Sequence, residues 1–212
     1  MISPEIKGRF PDLAVRFRQA KGLEIKRESG ELEQFKKEVV DEIKNAYNID
    51  TLKDDAKMRL YRDFFWKIGI DPTKIRPASE ALIRRILQGK PLPKINTAVD
   101  SYNLASIKSG VPLAAFDLAH INGELSMRFA KEGEEFAGIG MKEPKVLKGN
   151  EIVIEDRTSL VAIYPYRDAD KSKITTDTKG ILLMSCGVPG VPGETLDEAA
   201  ELGADYLEKF CK

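Results

Sequence analysis

Three polar side chains recur at helical spacing in the stretch from Ile95 to Asp117. Asn96, Asp100 and Asn103 fall at i, i+4 and i+7, so they share one face of a helix with 3.6 residues per turn. A solvated face more often carries Lys and Glu than two amides and a short acid. The stripe therefore predicts either a buried network that bonds the backbone or a face that binds a ligand.

A second polar cluster occupies residues 165–180. It combines a guanidinium, which can bind a carboxylate or a phosphate through two hydrogen bonds, with hydroxyls that suit a phosphate, a ribose or an amino-acid head group. The substrate-binding candidates in this cluster are Arg167, Asp168, Thr175, Thr176 and Thr178. The alternative is a strand-loop-strand connection in which the Thr and Asp residues form turns.

Basic residues surround a short predicted helix at residues 79–89. Phosphate contacts of an RNA-binding protein are made by side chains of this type, and the candidates are Arg76, Arg84, Arg85 and Lys90. The alternative is a solvated helix face on which Glu80 and Arg84 pair at i, i+4.

Several classes of chemistry lack the necessary residues. His120 is the only histidine, and the two cysteines, Cys186 and Cys211, do not form a metal-like pair. A zinc site or a Ser-His triad would need a second group, so we expect no metal and no cofactor. Cys186 precedes a glycine after a predicted strand, but no histidine is placed to activate it, which favours an inert core cysteine.

The elements that must position these residues follow from hydrophobic periodicity. Helices are predicted at 31–47, 51–70, 79–89, 96–108 and 195–210, the second with Thr51 as its N-cap. Strands are predicted at 13–18, 124–130, 151–156, 159–166 and 180–186. A helix-rich first part that leads into a mainly antiparallel sheet indicates an α+β protein.

Charge and hydropathy narrow the class of partner. The formal net charge is zero, but residues 1–94 carry 21 Lys and Arg against 15 Asp and Glu, whereas the remainder carries 13 against 19. This asymmetry predicts either a basic surface on the first half or two halves that attract each other. The apolar runs are too short to span a bilayer, and MISPEIKGRF has no apolar signal core, so we expect no membrane partner and a cytoplasmic location.

The order of several blocks resembles a known domain. These blocks are RPASEALIRR, LPKINTAVDSYNLASIKSGVPLAAFD, INGELSMRFAKEGEEF, EIVIEDR and YRDADKSKITTDTKGILL. Together they are similar to the B3/B4 domain, the tRNA-editing module of the phenylalanyl-tRNA synthetase β subunit. The whole chain looks most like the solo B3/B4 proteins, in which a helical extension precedes the module.

The resemblance implies a fold, a division of the chain and a partner. The fold would be α+β, with a B3/B4-like β-sandwich core, flanking helices and a helical N-terminal extension. The extension would span residues 1–73 and pack on a B3/B4-like domain at 74–212 that ends in the C-terminal helix. The partner would be tRNA or aminoacyl-tRNA, in a role that serves translation fidelity.

The chain departs from the synthetase pattern at two positions. Synthetase β subunits usually read Pro-Leu-His-Ala-Phe-Asp where this chain has residues 112–117, so Ala114 replaces a histidine of the editing pocket. They tend to read Leu-Leu-Glu-Ala where this chain has residues 182–185, so Met184 replaces an acidic group. The resemblance therefore implies the pocket without these two polar groups.

Three functions follow from the sequence. The first is a tRNA-binding protein that recognises mischarged aminoacyl-tRNA and deacylates it in trans. The second is a non-catalytic domain that binds a free amino acid or a small metabolite without RNA. The third is a domain whose polar stripe is architectural and which acts by contacting another protein.

Overall fold

The chain folds into six α-helices and nine short β-strands, in a computed structural model that describes residues 1–212. The helices are α1 (Pro4–Arg9), α2 (Gly30–Ala46), α3 (Ala56–Lys67), α4 (Ala78–Leu87), α5 (Thr97–Ser109) and α6 (Gly193–Cys211). The strands are β1 (Val15–Lys21), β2 (Leu113–Asp117), β3 (Ser126–Phe129), β4 (Glu132–Phe136), β5 (Lys145–Lys148), β6 (Ile152–Glu155), β7 (Leu160–Ile163), β8 (Arg167–Asp168) and β9 (Gly180–Cys186). The predicted α+β class is confirmed.

All strand pairs within the sheets are antiparallel. One sheet has the order β1-β9-β2, a second has the order β3-β6-β7-β8, and β4 pairs with β5 in a two-stranded ribbon. Strand β9 is central in the first sheet, where Met184 lies between Phe17 of β1 and Ala114 of β2. Because β1 lies in the predicted extension and β2 in the predicted B3/B4-like domain, this sheet contains strands from both sides of the predicted division.

One hydrophobic core joins the two ends of the chain. Its 43 buried residues include Ile6, Leu32 and Tyr61 from the first 73 residues as well as Phe116 and Leu207 from the rest. The chain on both sides of residue 73 contributes to this core, so the core does not mark a boundary there. The division at residue 73 stays a prediction. Helix α6 packs against α5 and against all three strands of the first sheet.

The helix starts differ in detail from the predicted ones. Leu52–Asp54 forms a separate 3-10 turn, and α3 begins at Ala56. Asp55 is its N-cap, since one carboxylate oxygen accepts from the backbone amides of Lys57 and Met58 at 3.0 Å each. The prediction of Thr51 as the cap is wrong because Asp55 lies closer to the apolar stripe and supplies a stronger acceptor.

Gly187 lies where the end of β9 meets the N-terminal segment. Its amide donates to the carbonyl of Ala14 at 3.0 Å. A Cβ at this position would lie 2.4 Å from that carbonyl oxygen and 2.4 Å from a methyl group of Leu196. The backbone oxygen cannot move without breaking the hydrogen bond.

Replacing Gly187 by Ala is therefore expected to lower the free energy of unfolding by about 1–3 kcal/mol, the usual cost of overpacking. The matched control is Gly8→Ala in α1, where an added Cβ meets nothing within 4 Å and the higher helix propensity of Ala adds up to about 1 kcal/mol. Urea denaturation of the two variants measures both effects. A Gly187→Ala protein as stable as wild type would contradict the close approach of Ala14 and Leu196 to this position.

Candidate functional site

A small cavity lies between the first and second sheets. Its volume is about 80 Å³, and nine of its thirteen lining residues are hydrophobic. The first sheet contributes Ala114 and Met184, the second contributes Ala162 and Asp168, and Ala78 at the start of α4 closes one side. The remaining lining residues are Pro112, Leu113, Ile163, Tyr164, Pro165, Tyr166, Arg167 and Cys186.

Positions 114 and 184, where the resemblance to the synthetase β subunit implies polar groups, are direct neighbours in this cavity. Ala114 on β2 and Met184 on β9 are paired across the antiparallel ladder, so their side chains lie on the same face of the sheet. Both residues line the cavity, and both are buried. This wall is therefore apolar and offers no proton donor or acceptor.

Asp168 supplies the one carboxylate of the cavity. It is half-buried, and its side chain forms no hydrogen bond or ion pair of 4 Å or less with the rest of the chain. Burial raises the pKa of Asp168 to about 7, and the charge of Arg167 opposes this rise only partly. The cavity thus combines an apolar wall with a carboxyl group that has no partner.

Two further groups lie within the electrostatic reach of Asp168. Burial raises the pKa of the Tyr102 hydroxyl and of the Cys186 thiol, and the nearby Asp168 carboxylate adds to both shifts. Both groups are therefore protonated at neutral pH, so Cys186 is not an activated nucleophile. No pattern in the sequence indicated that Tyr102 of α5 lies near Asp168.

Arg167 forms its hydrogen bond with a residue outside the cavity lining. Its side chain is exposed, and a guanidinium nitrogen donates to the carbonyl of Ile139 at 3.1 Å. It nevertheless contributes to the cavity lining, as Asp168 does. These two are the only predicted substrate-binding residues that line the cavity.

The Asn96, Asp100 and Asn103 stripe lies elsewhere. Asn96 is buried and caps α5, because its side chain accepts from the amide of Val99 at 2.9 Å and donates to the carbonyl of Ile174 at 3.3 Å. Asn103 is half-buried and its side chain makes no hydrogen bond within the chain. None of the three lines the cavity.

Asp100 forms a buried ion pair with Lys36 of α2. The two charged atoms are 2.6 Å apart, and the side chains are 4% and 8% exposed. The other carboxylate oxygen of Asp100 accepts from the amide of Ile95 at 3.1 Å, and Glu33 also contacts Lys36 at 2.6 Å. Burial alone would lower the pKa of Lys36, but the two carboxylates outweigh it and the pKa is raised.

The three threonines of the second polar cluster form a turn. Thr178 is buried, and its hydroxyl donates to Asp117 at 2.7 Å and accepts from the amide of Thr175 at 3.1 Å. The Thr175 hydroxyl accepts from the amide of Asp177 at 3.2 Å, whereas Thr176 is exposed. None of the three lines the cavity, and a substrate-binding role for them stays a prediction.

The basic candidates near α4 fall into two groups. Arg84 is mostly buried, and together with Arg62 it pairs with the fully buried Glu80 at 2.7 and 2.9 Å. Arg76, Arg85 and Lys90 are exposed, and Arg85 donates to the carbonyl of Pro91. The exposed three remain available to a phosphate.

Two other properties of the structure bear on function. No three or more His, Cys, Asp or Glu side chains lie close enough together to hold a metal ion. No helix has the combination of length and apolar character that crossing a bilayer requires.

Removing the Asp100 carboxylate tests the buried ion pair. Asp100→Ala is expected to lower the free energy of unfolding by about 3 kcal/mol, because Lys36 would keep its charge in a buried site with only Glu33 as partner. The double variant Lys36→Met/Asp100→Leu, measured by urea denaturation, should recover most of this loss. Asp41→Ala, on the exposed surface of the same helix as Lys36, is the control and should stay within about 0.5 kcal/mol of wild type. A loss no larger for Asp100→Ala than for this control would refute the structural role of the pair.

The raised pKa of Asp168 makes stability depend on pH. The native state binds a proton that the unfolded state has released between pH of about 4 and 7, so this group lowers the free energy of unfolding as pH rises through that window. Asp168→Asn removes the effect, and its stability relative to wild type should therefore increase from pH 4 to 7 and then level off. The control is Asp170→Asn, whose carboxylate pairs with Lys173 at 2.9 Å outside the cavity. A constant difference between wild type and Asp168→Asn across this range would contradict the assignment.

Comparison with known proteins identifies the family of most of the chain. The family model described as "B3/4 domain" matches residues 60–212. Relatives named phenylalanine–tRNA ligase β subunit include those of Pseudomonas fluorescens strain Pf-5 (37% identical over 91 residues, 43% of this chain and 11% of the relative) and Pseudomonas savastanoi pv. phaseolicola (34% over 110 residues, 52% and 14%).

A solved structure extends the likeness to the fold of nearly the whole chain. A crystal structure of an N-terminal fragment of the phenylalanyl-tRNA synthetase β subunit from Pyrococcus horikoshii superposes with a TM-score of 0.53. It covers 99% of this chain and 48% of that fragment at 14% sequence identity. The chain spans only 11–14% of the length of the curated relatives named above, and about half of the fragment. Since the family model covers well over half of the chain, this protein belongs to the B3/4 domain family.

Proposed function

We propose that this protein binds the aminoacylated end of tRNA and hydrolyses mischarged aminoacyl-tRNA in trans. Relatives that are 34% to 37% identical to about half of this chain are named as β subunits of a tRNA ligase. The proposal applies tRNA as the substrate to this chain for one reason. Ala114 and Met184, at the positions where the resemblance implies polar pocket groups, both line the cavity.

The observation that supports the proposal most directly is the unpartnered carboxyl group of Asp168 in an apolar cavity. An aminoacyl ester presents a positively charged α-ammonium group next to an uncharged side chain. The carboxylate of Asp168 would pair with the ammonium, while Ala114, Ala162 and Met184 would contact the side chain. Arg167, exposed at the edge of the cavity, would contact the ribose or a phosphate.

Hydrolysis at this site would depend on the position of a water molecule next to the ester carbonyl rather than on a basic side chain. Water adds to the ester carbonyl, the bond to the ribose oxygen breaks, and the products are uncharged tRNA, a free amino acid and one proton. The neighbouring hydroxyl of the terminal ribose would help to orient the water. This route is compatible with a wall in which Ala114 and Met184 stand where the synthetases have polar groups.

The size of the cavity restricts the amino acid. Its volume of about 80 Å³ is roughly half of that of an apolar cavity of ~150 Å³ that binds benzene. A small side chain would therefore fit, whereas the ring of phenylalanine or tyrosine would require the walls to move. This argues for small amino acids as the substrates.

A panel of aminoacyl-tRNAs tests the proposal. We expect the protein to release small amino acids from tRNA at least tenfold faster than it releases phenylalanine or tyrosine. The rate is measured as the loss of radiolabelled amino acid from the tRNA. Ala114→Leu fills the cavity and should abolish this hydrolysis, whereas Ala81→Leu, on the exposed face of α4, should not change it. No hydrolysis of any member at high protein concentration would reject the editing activity.

A second candidate function is binding of a free amino acid or small metabolite without RNA. The observations that favour it are the zero net charge of the chain and the small size of the cavity. Gel shifts with bulk tRNA at increasing salt separate the two functions. Binding that weakens steeply with salt supports RNA, while no shift, together with a ligand-induced rise in melting temperature, supports the metabolite.

A further inference from the structure

A groove with a volume of about 450 Å³ lies on the surface between helix α2 and residues 91–94. Only two of its nine lining residues are hydrophobic, and four are lysines: Lys36, Lys37, Lys44 and Lys94. The two acidic lining residues are Glu33 and Asp41. We refer to this feature as the basic groove.

The lysines of the basic groove differ in their partners. Lys36 is held by Asp100 and Glu33, and Lys94 contacts Glu33 at 3.2 Å, so these two are largely neutralised. Lys37 and Lys44 are exposed and form no ion pair. They lie seven residues apart on α2, so both face the groove with about 10 Å between them along the helix axis.

Further positive charge lies at the rim. Lys90 is exposed, forms no ion pair and directly precedes Pro91, which lines the groove. Arg85 reaches the same place, since its guanidinium donates to the carbonyl of Pro91. The groove and its rim thus present four cationic side chains without a carboxylate partner, against the single unpaired acid Asp41.

Helix α4 connects the basic groove with the cavity. Its first residue, Ala78, lines the cavity, and its last turn leads through Lys90 into the groove wall at Pro91. Ten helical residues span about 15 Å, a distance that a few nucleotides of single-stranded RNA can cover. Arg85 on the exposed side of α4 lies along the way.

We infer that the basic groove binds the phosphate backbone of RNA, and that it holds the tRNA strand whose aminoacylated end occupies the cavity. This inference rests on the proposed function for the identity of the RNA. Helix α2 lies outside residues 60–212, which the family model matches, so the groove combines the module with the preceding extension. A polar groove lined by exposed lysine ammonium groups suits phosphates.

An acidic peptide is the competing occupant. Peptide grooves usually supply pockets for apolar anchor side chains. Here only two lining residues are hydrophobic, and Val40 and Leu92 are both partly buried by the protein itself. The composition of the groove therefore favours phosphate over peptide.

The test is the affinity for uncharged bulk tRNA, measured by fluorescence anisotropy from 50 to 300 mM salt. The triple variant Lys37→Ala/Lys44→Ala/Lys90→Ala should bind about tenfold or more weakly at 0.1 M salt, and the slope of log K against log salt should fall by about 2 to 3. The matched control, Lys7→Ala/Lys21→Ala/Lys142→Ala, removes three exposed lysines that also form no ion pair, and it should bind as wild type does.

The outcomes separate this inference from the proposed function. If the triple variant binds tRNA with the affinity and salt slope of wild type, the inference that the basic groove binds RNA is rejected, whether or not the protein deacylates any tRNA. Groove-dependent binding in a protein that hydrolyses no aminoacyl-tRNA would support the groove and reject the editing activity. Binding of polyglutamate that depends on the same three lysines, without binding of tRNA, would overturn the inference in favour of an acidic peptide.

Discussion

The structure depends on the antiparallel pairing of strand β9 with both of its neighbours. On one side β9 pairs with β1 over seven residues, and on the other it pairs with β2 over five. Its side chains alternate between two faces, so Met184 is directed to the cavity while Leu183 lies 2.4 Å from where a Cβ on Gly203 of helix α6 would stand. This one register joins the N-terminal segment to the module and sets Ala114 opposite Met184.

The end of β9 is held by buried tyrosines. The hydroxyl of Tyr61 donates to the carbonyl of Cys186 at 2.8 Å, and that of Tyr164 donates to the carbonyl of Gly187. Burial raises the pKa of both tyrosines well above the usual range, so both remain donors at any physiological pH. Because Tyr164 also lines the cavity, the bonds that fix the strand also shape the cavity wall.

Local patterns predicted the elements better than the site. The apolar periodicity of α2 and α6 is strong, and both helices lie within one or two residues of their predicted bounds. Helix α5 also lies within one residue of its predicted bounds, although it is buried on more than one face. Strand β2 was not predicted, because its sequence LAAFD is buried at every position and lacks both alternation and β-branched residues. The resemblance identified the family, and it singled out positions 114 and 184, which both line the cavity.

The polar stripe shows why the site was harder to predict. Its spacing correctly put Asp100 and Asn103 on one helix, whereas Asn96 is the extended N-cap that precedes it. Spacing also does not say what packs against that face. Helix α2, more than fifty residues earlier in the chain, brings Lys36 to Asp100 and makes this part of the stripe an ion pair. The network interpretation therefore describes Asn96 and Asp100, whose hydrogen bonds are within the chain.

What the sequence determined by itself is the α+β class, the main helices and the family, since these follow from periodicity and from the order of short blocks. The tertiary structure decided which polar groups have partners. Asp100 and Asp168 are both aspartates of predicted polar clusters. Asp100 forms an ion pair with Lys36, whereas Asp168 has no ion-pair partner in the cavity and burial raises its pKa to about 7. Ionisation depends on burial and on neighbours in space, and both are set by chain segments that are distant in sequence.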